Sequence, residues 1–141
     1  MNLPDINIWL ALVFEAHAMH LRARDWFEDA ETQSCAFCRL TQQGFLRLAT
    51  NPSVFRNEAL TMAQAWSCYD LLLGDERVYL EHEPADIEPA WRELTNREER
   101  SPRIWQDAYL AAFAQQSNLR IVTFDQGFKA YPGLPVTVLE K

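Results

Sequence analysis

Three carboxylates stand apart from the solvated acids of this chain: Asp5, Asp107 and Asp125. Asp5 closes a short apolar stretch at the N-terminus. Asp125 ends the run Arg120-Ile-Val-Thr-Phe-Asp125, and Asp107 lies beside the stripe Ile104, Ala108 and Ala111. A carboxylate held against apolar surface is costly unless it is paired or bound to metal, and no Lys or Arg has an obvious claim on all three. Brought together, they repel one another. A hard divalent cation, Mg²⁺ or Mn²⁺, relieves that repulsion and prefers oxygen ligands. Such an ion activates water and stabilises charge at a phosphodiester undergoing hydrolysis. Spacing alone leaves a second reading equally open, in which Asp107 complements a helix dipole and Asp125 opens a turn.

The elements that must position these acids centre on Ser101 to Phe128. Ser101 reads as an N-cap and Pro102 as the first helical residue. The helical spacing runs to Asn118, Arg120–Asp125 reads as a strand, and Gly127 as a turn. A helix feeding an apolar strand points to a βαβ crossover and a parallel sheet, where ligands gather at the carboxyl ends of strands.

Upstream, Asn2–Asp5 reads as a strand, with Pro4 tolerable only at its end. Ile6–Phe14 is an apolar, buried helical segment. Ala16–Ala30 is an amphipathic helix with Leu21, Trp26 and Phe27 inward, and its His17 and His20 read as a solvated pair. Gln33–Cys38 is a strand. Arg39–Thr50 is a helix that Gly44 weakens unless it permits close packing. Ser53–Leu60 reads as a loop, Thr61–Leu73 as a helix stopped at Gly74, and Arg77–Leu80 as a strand. An acidic connection over Glu81–Glu88 and a short helix over Ile87–Leu94 precede the charged turn Asn96–Arg100. Tyr131–Pro135 is a turn and Val136–Leu139 the last strand. The order β-α-α-β-α-α-β-α-α-β-β, without repeat or linker, predicts one α/β domain over residues 1–141. Its architecture is three-layer α/β/α with a central, mainly parallel sheet of about four to five strands.

The chain of 141 residues carries a net charge of −7, from 13 basic and 20 acidic residues. That argues against non-specific nucleic-acid binding through overall charge, but leaves room for a local basic rim. Eleven of the basic residues are Arg, which favours bidentate phosphate contacts. Cys35 and Cys38 have a metal or redox spacing with no second pair to complete a zinc site, so they read as reduced, packed thiols of a cytoplasmic protein. No apolar run approaches a membrane span, and the N-terminus lacks the basic start of a signal peptide.

The segments MNLPDINIWLAL, RLTQQGFLRL and, above all, WQDAYLAAFAQQSNLRIVTFDQGF resemble the PIN-domain ribonucleases, most closely the VapC-type toxins of bacterial toxin–antitoxin pairs. The resemblance covers nearly the whole chain. It implies a PIN-like fold and a Mg²⁺- or Mn²⁺-dependent endoribonuclease. It also implies a homodimer held in check by a small cognate VapB-type antitoxin. In the family's acidic quartet Asp5 matches the first acid, Asp107 the third and Asp125 the fourth, with Asn7 and Thr123 matching polar neighbours. The second acid, usually Glu, falls at Gln42. The resemblance then gives Asp5 and Asp107 as metal ligands, Asp125 as a support that orients the nucleophile, and Gln42 as the group that positions a water. The missing charge at Gln42 implies weaker metal binding or lower activity, unless Glu15 or Glu31 stands in. Arg39, Arg47 and Arg103 are rim candidates for the phosphates of single-stranded RNA.

Two other classes compete. A receiver needs an acidic pair after its first strand and a late Lys, and a haloacid-dehalogenase-type phosphatase needs Asp-x-Asp. Asp5-Ile6-Asn7 supplies neither acidic pattern. A catalytically attenuated PIN domain, binding RNA or a partner protein without cleaving, is the alternative that Gln42 sustains. The apolar segments Ile6–Phe14 and Thr61–Leu73 both offer surface for a dimer or an antitoxin.

Overall fold

The central strand of the sheet is the first one in the chain. A computed structural model describes residues 1–141. In it β1 (Asn2–Pro4), β2 (Cys35–Phe37), β3 (Val78–Leu80), β4 (Arg120–Thr123) and β5 (Val136–Val138) form one sheet in the order β3-β2-β1-β4-β5. Every pairing is parallel, so the expected mainly parallel sheet is wholly so. β1 pairs with β4 over Asn2↔Arg120, Leu3↔Ile121 and Pro4↔Val122. Its pairing with β2 is the single register Asn2↔Cys35. Pro4 has no N–H to give, while Asp5 N still donates to Val122 O at 2.8 Å.

Alternation along the strands divides the core. Leu3, Ala36 and Ile121 face α7 (Ile104–Ser117) and α6 (Ile87–Thr95), whose Ala108, Ala111 and Ala112 let the helix lie close to the sheet. Cys35, Phe37 and Val78 face the other layer. That layer holds α1 (Ile6–Val13), α2 (His20–Glu28), α3 (Arg39–Ala49) and α5 (Met62–Leu73). Trp9 stacks on Phe37 at 4.0 Å between centroids, and Tyr69 meets Phe37 edge-on at 5.0 Å. Ile8, Trp9, Leu10 and Ala11 are buried, so most of the apolar face of α1 is core. The exposed apolar side chains cluster instead on α5, as Met62, Trp66, Leu71 and Leu73. Cys35 and Cys38 are fully buried, which raises both thiol pKa values. No helix is long and apolar enough to cross a membrane.

Several elements differ from the sequence reading. α7 begins at Ile104, not at Pro102, and no side chain caps it. Pro102 and Arg103 form a turn whose closing bond runs from Ile104 N to the Ser101 carbonyl, not to its hydroxyl. The shift puts Asp107 in the first turn of the helix. The helix expected from Ala16 starts at His20, and Ala23 and Phe27 form its buried stripe, which turns Leu21 out to 68% exposure. His17 and His20 are not a solvated pair. Met19 N donates to His17 Nδ1 at 3.0 Å, and His20 Nδ1 lies 2.7 Å from Ala11 O. The segment read as a loop after Asn51 contains a short helix, α4 (Pro52–Phe55), followed by a 3₁₀ turn over Arg56–Glu58. Asn51-Pro52, taken as a stop, is also a start: Ser53 N donates to Asn51 Oδ1 at 2.9 Å and Pro52 occupies the first turn. Arg56 sits at φ 52°, ψ −125°, a conformation suited to glycine. For a residue with a Cβ such a conformation costs roughly 1–3 kcal/mol.

Gly44 is the close-approach site that its position inside α3 suggested. A Cβ there would lie 2.2 Å from Cδ1 and 2.8 Å from Cγ1 of Ile6. Gly44→Ala therefore loses more from overpacking than the ~1 kcal/mol it gains in helix propensity. Chemical denaturation should show a net loss on the order of 1 kcal/mol or more. Adding Ile6→Val, which removes Cδ1, should recover part of it; a Gly44→Ala protein more stable than the parent would refute the close approach.

Candidate active site

The register of β1 on β4 places Asp5 beside the end of β4, and a hydroxyl joins them. Thr123, fully buried, donates from Oγ1 to Asp5 Oδ2 at 2.9 Å. Thr123 Oγ1 itself accepts from Asp125 N at 3.0 Å. The other carboxylate oxygen of Asp5 accepts from Ile6 N at 2.8 Å and caps α1. Asp5 is thus held on both oxygens, by a side chain from β4 and by the helix that follows it. Asp125 caps the 3₁₀ segment Gln126–Ala130 through Gly127 N at 2.8 Å and remains exposed. So the turn role read for Asp125 is real and coexists with its place beside Asp5.

Asp107 completes the cluster from the opposite layer. Burial lifts its pKa to about 6, helped by the negative charges of Asp5 and Asp125 and opposed by Arg103. Burial also raises the pKa of Asp5. The hydrogen bonds from Thr123 and Ile6 pull it back, and the charge of Asp125 adds to the rise. The three acids therefore sense one another across the β1, β4 and α7 ends. They do not close into a cage: no three His, Cys, Asp or Glu side chains converge tightly enough to hold a metal ion between them. Arg103 lies one turn ahead of Asp107, at the start of α7.

Gln42 is placed differently. It is 7% exposed in the first turns of α3, and its Oε1 accepts from Arg39 Nη1. No hydrogen bond joins it to the three aspartates. Arg39 thus donates to Gln42 through Nη1 while its side chain remains exposed. Neither Glu15 nor Glu31 figures among the charges that raise Asp5 or Asp107.

One neighbour went unread in the sequence. Tyr131, which the Tyr-Pro-Gly spelling marked only as a turn, is 8% exposed. Burial and then the charge of Asp107 raise its hydroxyl pKa, Asp125 and Glu99 raise it further, and Arg97 opposes them. The Arg97 guanidinium lies 6.0 Å from its ring centroid. An aromatic at the mouth of a turn carries no signal of this kind in sequence, because the contact depends on where the 3₁₀ segment folds back.

The chain is similar to known proteins over nearly its whole length. The PIN domain family matches residues 3–134. Ribonuclease VapC41 of Mycobacterium tuberculosis is 40% identical over 146 aligned positions that cover all of both chains. Ribonuclease VapC38 of the same species is 30% identical, covering 99% of this chain and 98% of its own. Among solved structures, VapBC2 of Rickettsia felis bound to a promoter DNA fragment superposes with a TM-score of 0.70 at 15% identity, covering 99% of this chain and 98% of that one. The family match begins in the strand that presents Asp5 and runs past the turn that Asp125 caps, and with a relative at 40% identity end to end, the chain belongs to the PIN domain family, in the company of the VapC ribonucleases.

Proposed function

We propose that this protein is the ribonuclease toxin of a toxin–antitoxin pair, cutting RNA phosphodiesters with the help of Mg²⁺ or Mn²⁺. The observation that carries the reading is the Thr123 bridge, which holds Asp5 and Asp125 side by side with Asp107 within charge range of both. The relatives named VapC are ribonucleases, in keeping with this site.

The donor set fits a hard cation. All the candidate ligands are carboxylate oxygens, two with pKa values raised by burial and mutual repulsion. The open arrangement suits an ion that keeps several waters and needs only one or two direct carboxylates. Asp5 and Asp107 would hold it, and Asp125 would support it. When bound, the ion supplies charge neutralisation and a more acidic water. The chain's own residues do the rest. Thr123 and Ile6 N fix the plane of the Asp5 carboxylate. Asp107, with a pKa of about 6, is mostly ionised at neutral pH and ready to accept a cation or a proton. Arg103, close enough to Asp107 to lower its pKa, is a candidate phosphate contact. Gln42, paired with Arg39 Nη1, would position a water at the site. An attenuated, binding-only protein is not favoured, because the full-length relatives at 40% and 30% identity are named as ribonucleases.

A VapB-type antitoxin and a second copy of the chain are the proposed protein partners. The exposed apolar side chains of α5 supply surface for one of them. Solved neighbours at fold level include the toxin–antitoxin complex from Klebsiella pneumoniae, with a TM-score of 0.61.

Purified protein incubated with a mixed RNA pool should cut with Mg²⁺ or Mn²⁺ and not with EDTA. Asp107→Asn should lower cleavage by at least about a hundredfold while preserving the circular dichroism spectrum; full activity in a folded Asp107→Asn protein would sink the nuclease reading. Gln42→Glu places a carboxylate against Arg39, and the two should pair. Cleavage should then rise by no more than about tenfold, and a much larger gain would place residue 42 at the metal instead.

The raised Asp107 pKa also sets a pH dependence in metal-free protein. Between the ordinary value of 3.8 and about 6, the native state keeps a proton that the unfolded chain has lost. Stability therefore falls as pH rises through that window, and the whole penalty is present above it. Asp107→Asn should remove it, giving a gain on the order of 1–2 kcal/mol at pH 7 after discounting for partial solvent contact. Thermal melts at pH 5 and pH 7 test this: the gap between variant and parent should widen at the higher pH, and Mg²⁺ should narrow it.

A further inference from the structure

We infer that the groove between the α1–α2 turn and the α4–3₁₀ segment seats one nucleotide of single-stranded RNA next to the scissile phosphate, with Arg56 on its phosphate and His17 on its base. The inference rests on the nuclease reading for its choice of occupant.

Two of the groove's lining residues tie it to the segments that carry Asp5 and Asp125. One wall begins at Asn7, in the first turn of the helix that Asp5 caps. Another carries His17, whose ring centroid lies 6.1 Å from that of Phe124 with the planes inclined at 29°, and Phe124 immediately precedes Asp125. The groove's volume of about 710 Å³ is that of a site for a small organic group.

The lining matches a nucleotide in kind. Leu10, Leu48 and Phe55 give apolar surface for a base, while Asn7, His17 and Arg56 give donors at the edge. Glu58 is the one acid in the lining, in a chain with seven more acidic than basic residues. Phe55 is held in place by stacking on the buried Phe14, with ring centroids 3.7 Å apart. His17 is preset as a donor: the Met19 N–H occupies Nδ1, so in the neutral ring the proton sits on Nε2. Such a ring can stack on a base and donate to its carbonyl or ring nitrogen.

Arg56 is the most telling residue. Its backbone is in a conformation that glycine would adopt without strain, yet the side chain is exposed and takes part in none of the four ion pairs. Nothing within the fold uses that guanidinium. An uncommitted Arg on a strained turn, at the rim of a groove leading to a phosphodiester-cutting site, is placed for a phosphate.

The test is fluorescence anisotropy of a labelled, random-sequence RNA oligonucleotide on the Asp107→Asn protein, with and without Arg56→Gly or His17→Ala. Arg56→Gly should raise Kd about tenfold and reduce the slope of log Kd against log salt by about 0.7, the loss of one single-strand phosphate contact. Its Tm should equal or exceed the parent's, because glycine relieves the turn. His17→Ala should weaken binding with the salt slope unchanged, as for a base contact. In the protein with Asp107 intact, Arg56→Gly should raise KM about tenfold with kcat held within about twofold. Unchanged Kd and slope in both variants would overturn the inference, as would a lowered Tm for Arg56→Gly, which marks a structural role. Parent protein that cuts RNA with KM untouched by either substitution would refute the groove and leave the nuclease reading standing. Arg56-dependent binding by protein that cuts nothing would do the reverse. If Arg56→Gly weakens only a VapB-type peptide and not RNA, the groove belongs to the protein partner and the inference fails.

Discussion

The pairing of β1 with β4 is the constraint on which everything else rests. It fixes Leu3 against Ile121 and Pro4 against Val122, and one step further it sets Asp5 level with Thr123. The hydroxyl then does two jobs with one oxygen, giving its proton to Asp5 and taking one from the backbone of Asp125. A slip of one residue would turn Thr123 to the other face of the sheet and separate the acids. The layers on either side follow from the same register. Alternate residues of three-residue strands face the alanines of α7 on one side and the aromatic stack around Trp9 and Phe37 on the other.

Around that register the molecule accepts an electrostatic cost in one place. Most buried groups in this chain are satisfied, with Trp9 Nε1 and Tyr69 Oη as the unpartnered exceptions. The carboxylates are different, since burial and proximity both push against their charge. Thr123 and the start of α1 offset part of that at Asp5, while Asp107 has only Arg103 to oppose it. Residues held where stability alone would not put them are the expected mark of a working site.

Much of this was legible in the sequence. Asp107 beside an apolar stripe, and Asp125 at the end of a β-branched run, could be singled out because strand and helix periods are local and a misplaced charge breaks them. The strand order could not be read, yet the five strands and their mainly parallel sense could, because helices intervene between most strands. The failures have physical causes. Pro102 looked like a helix start, but the carbonyl of Ser101 closes the turn and the helix begins later. Asn51-Pro52 looked like an end and is a beginning as well. Leu21 faces out because a late helix start rotates the stripe to Ala23 and Phe27. Tyr131 had no local signature at all, since its importance comes from a segment folding back over distant charges.

The bond from Thr123 to Asp5 spans 118 positions of the chain. β1 must wait for β4, made much later in the chain, before it can take the centre of the sheet. Contacts this distant in sequence close late, because the loop entropy has to be met before they form. A nascent chain therefore carries Asp5 without the hydroxyl that orients it and without the two acids that complete its cluster. The machinery is assembled in one step, when β4 docks, so a fragment released early is inert toward the cell that makes it. For an RNA-cutting toxin, the topology itself delays the hazard until β4 has docked.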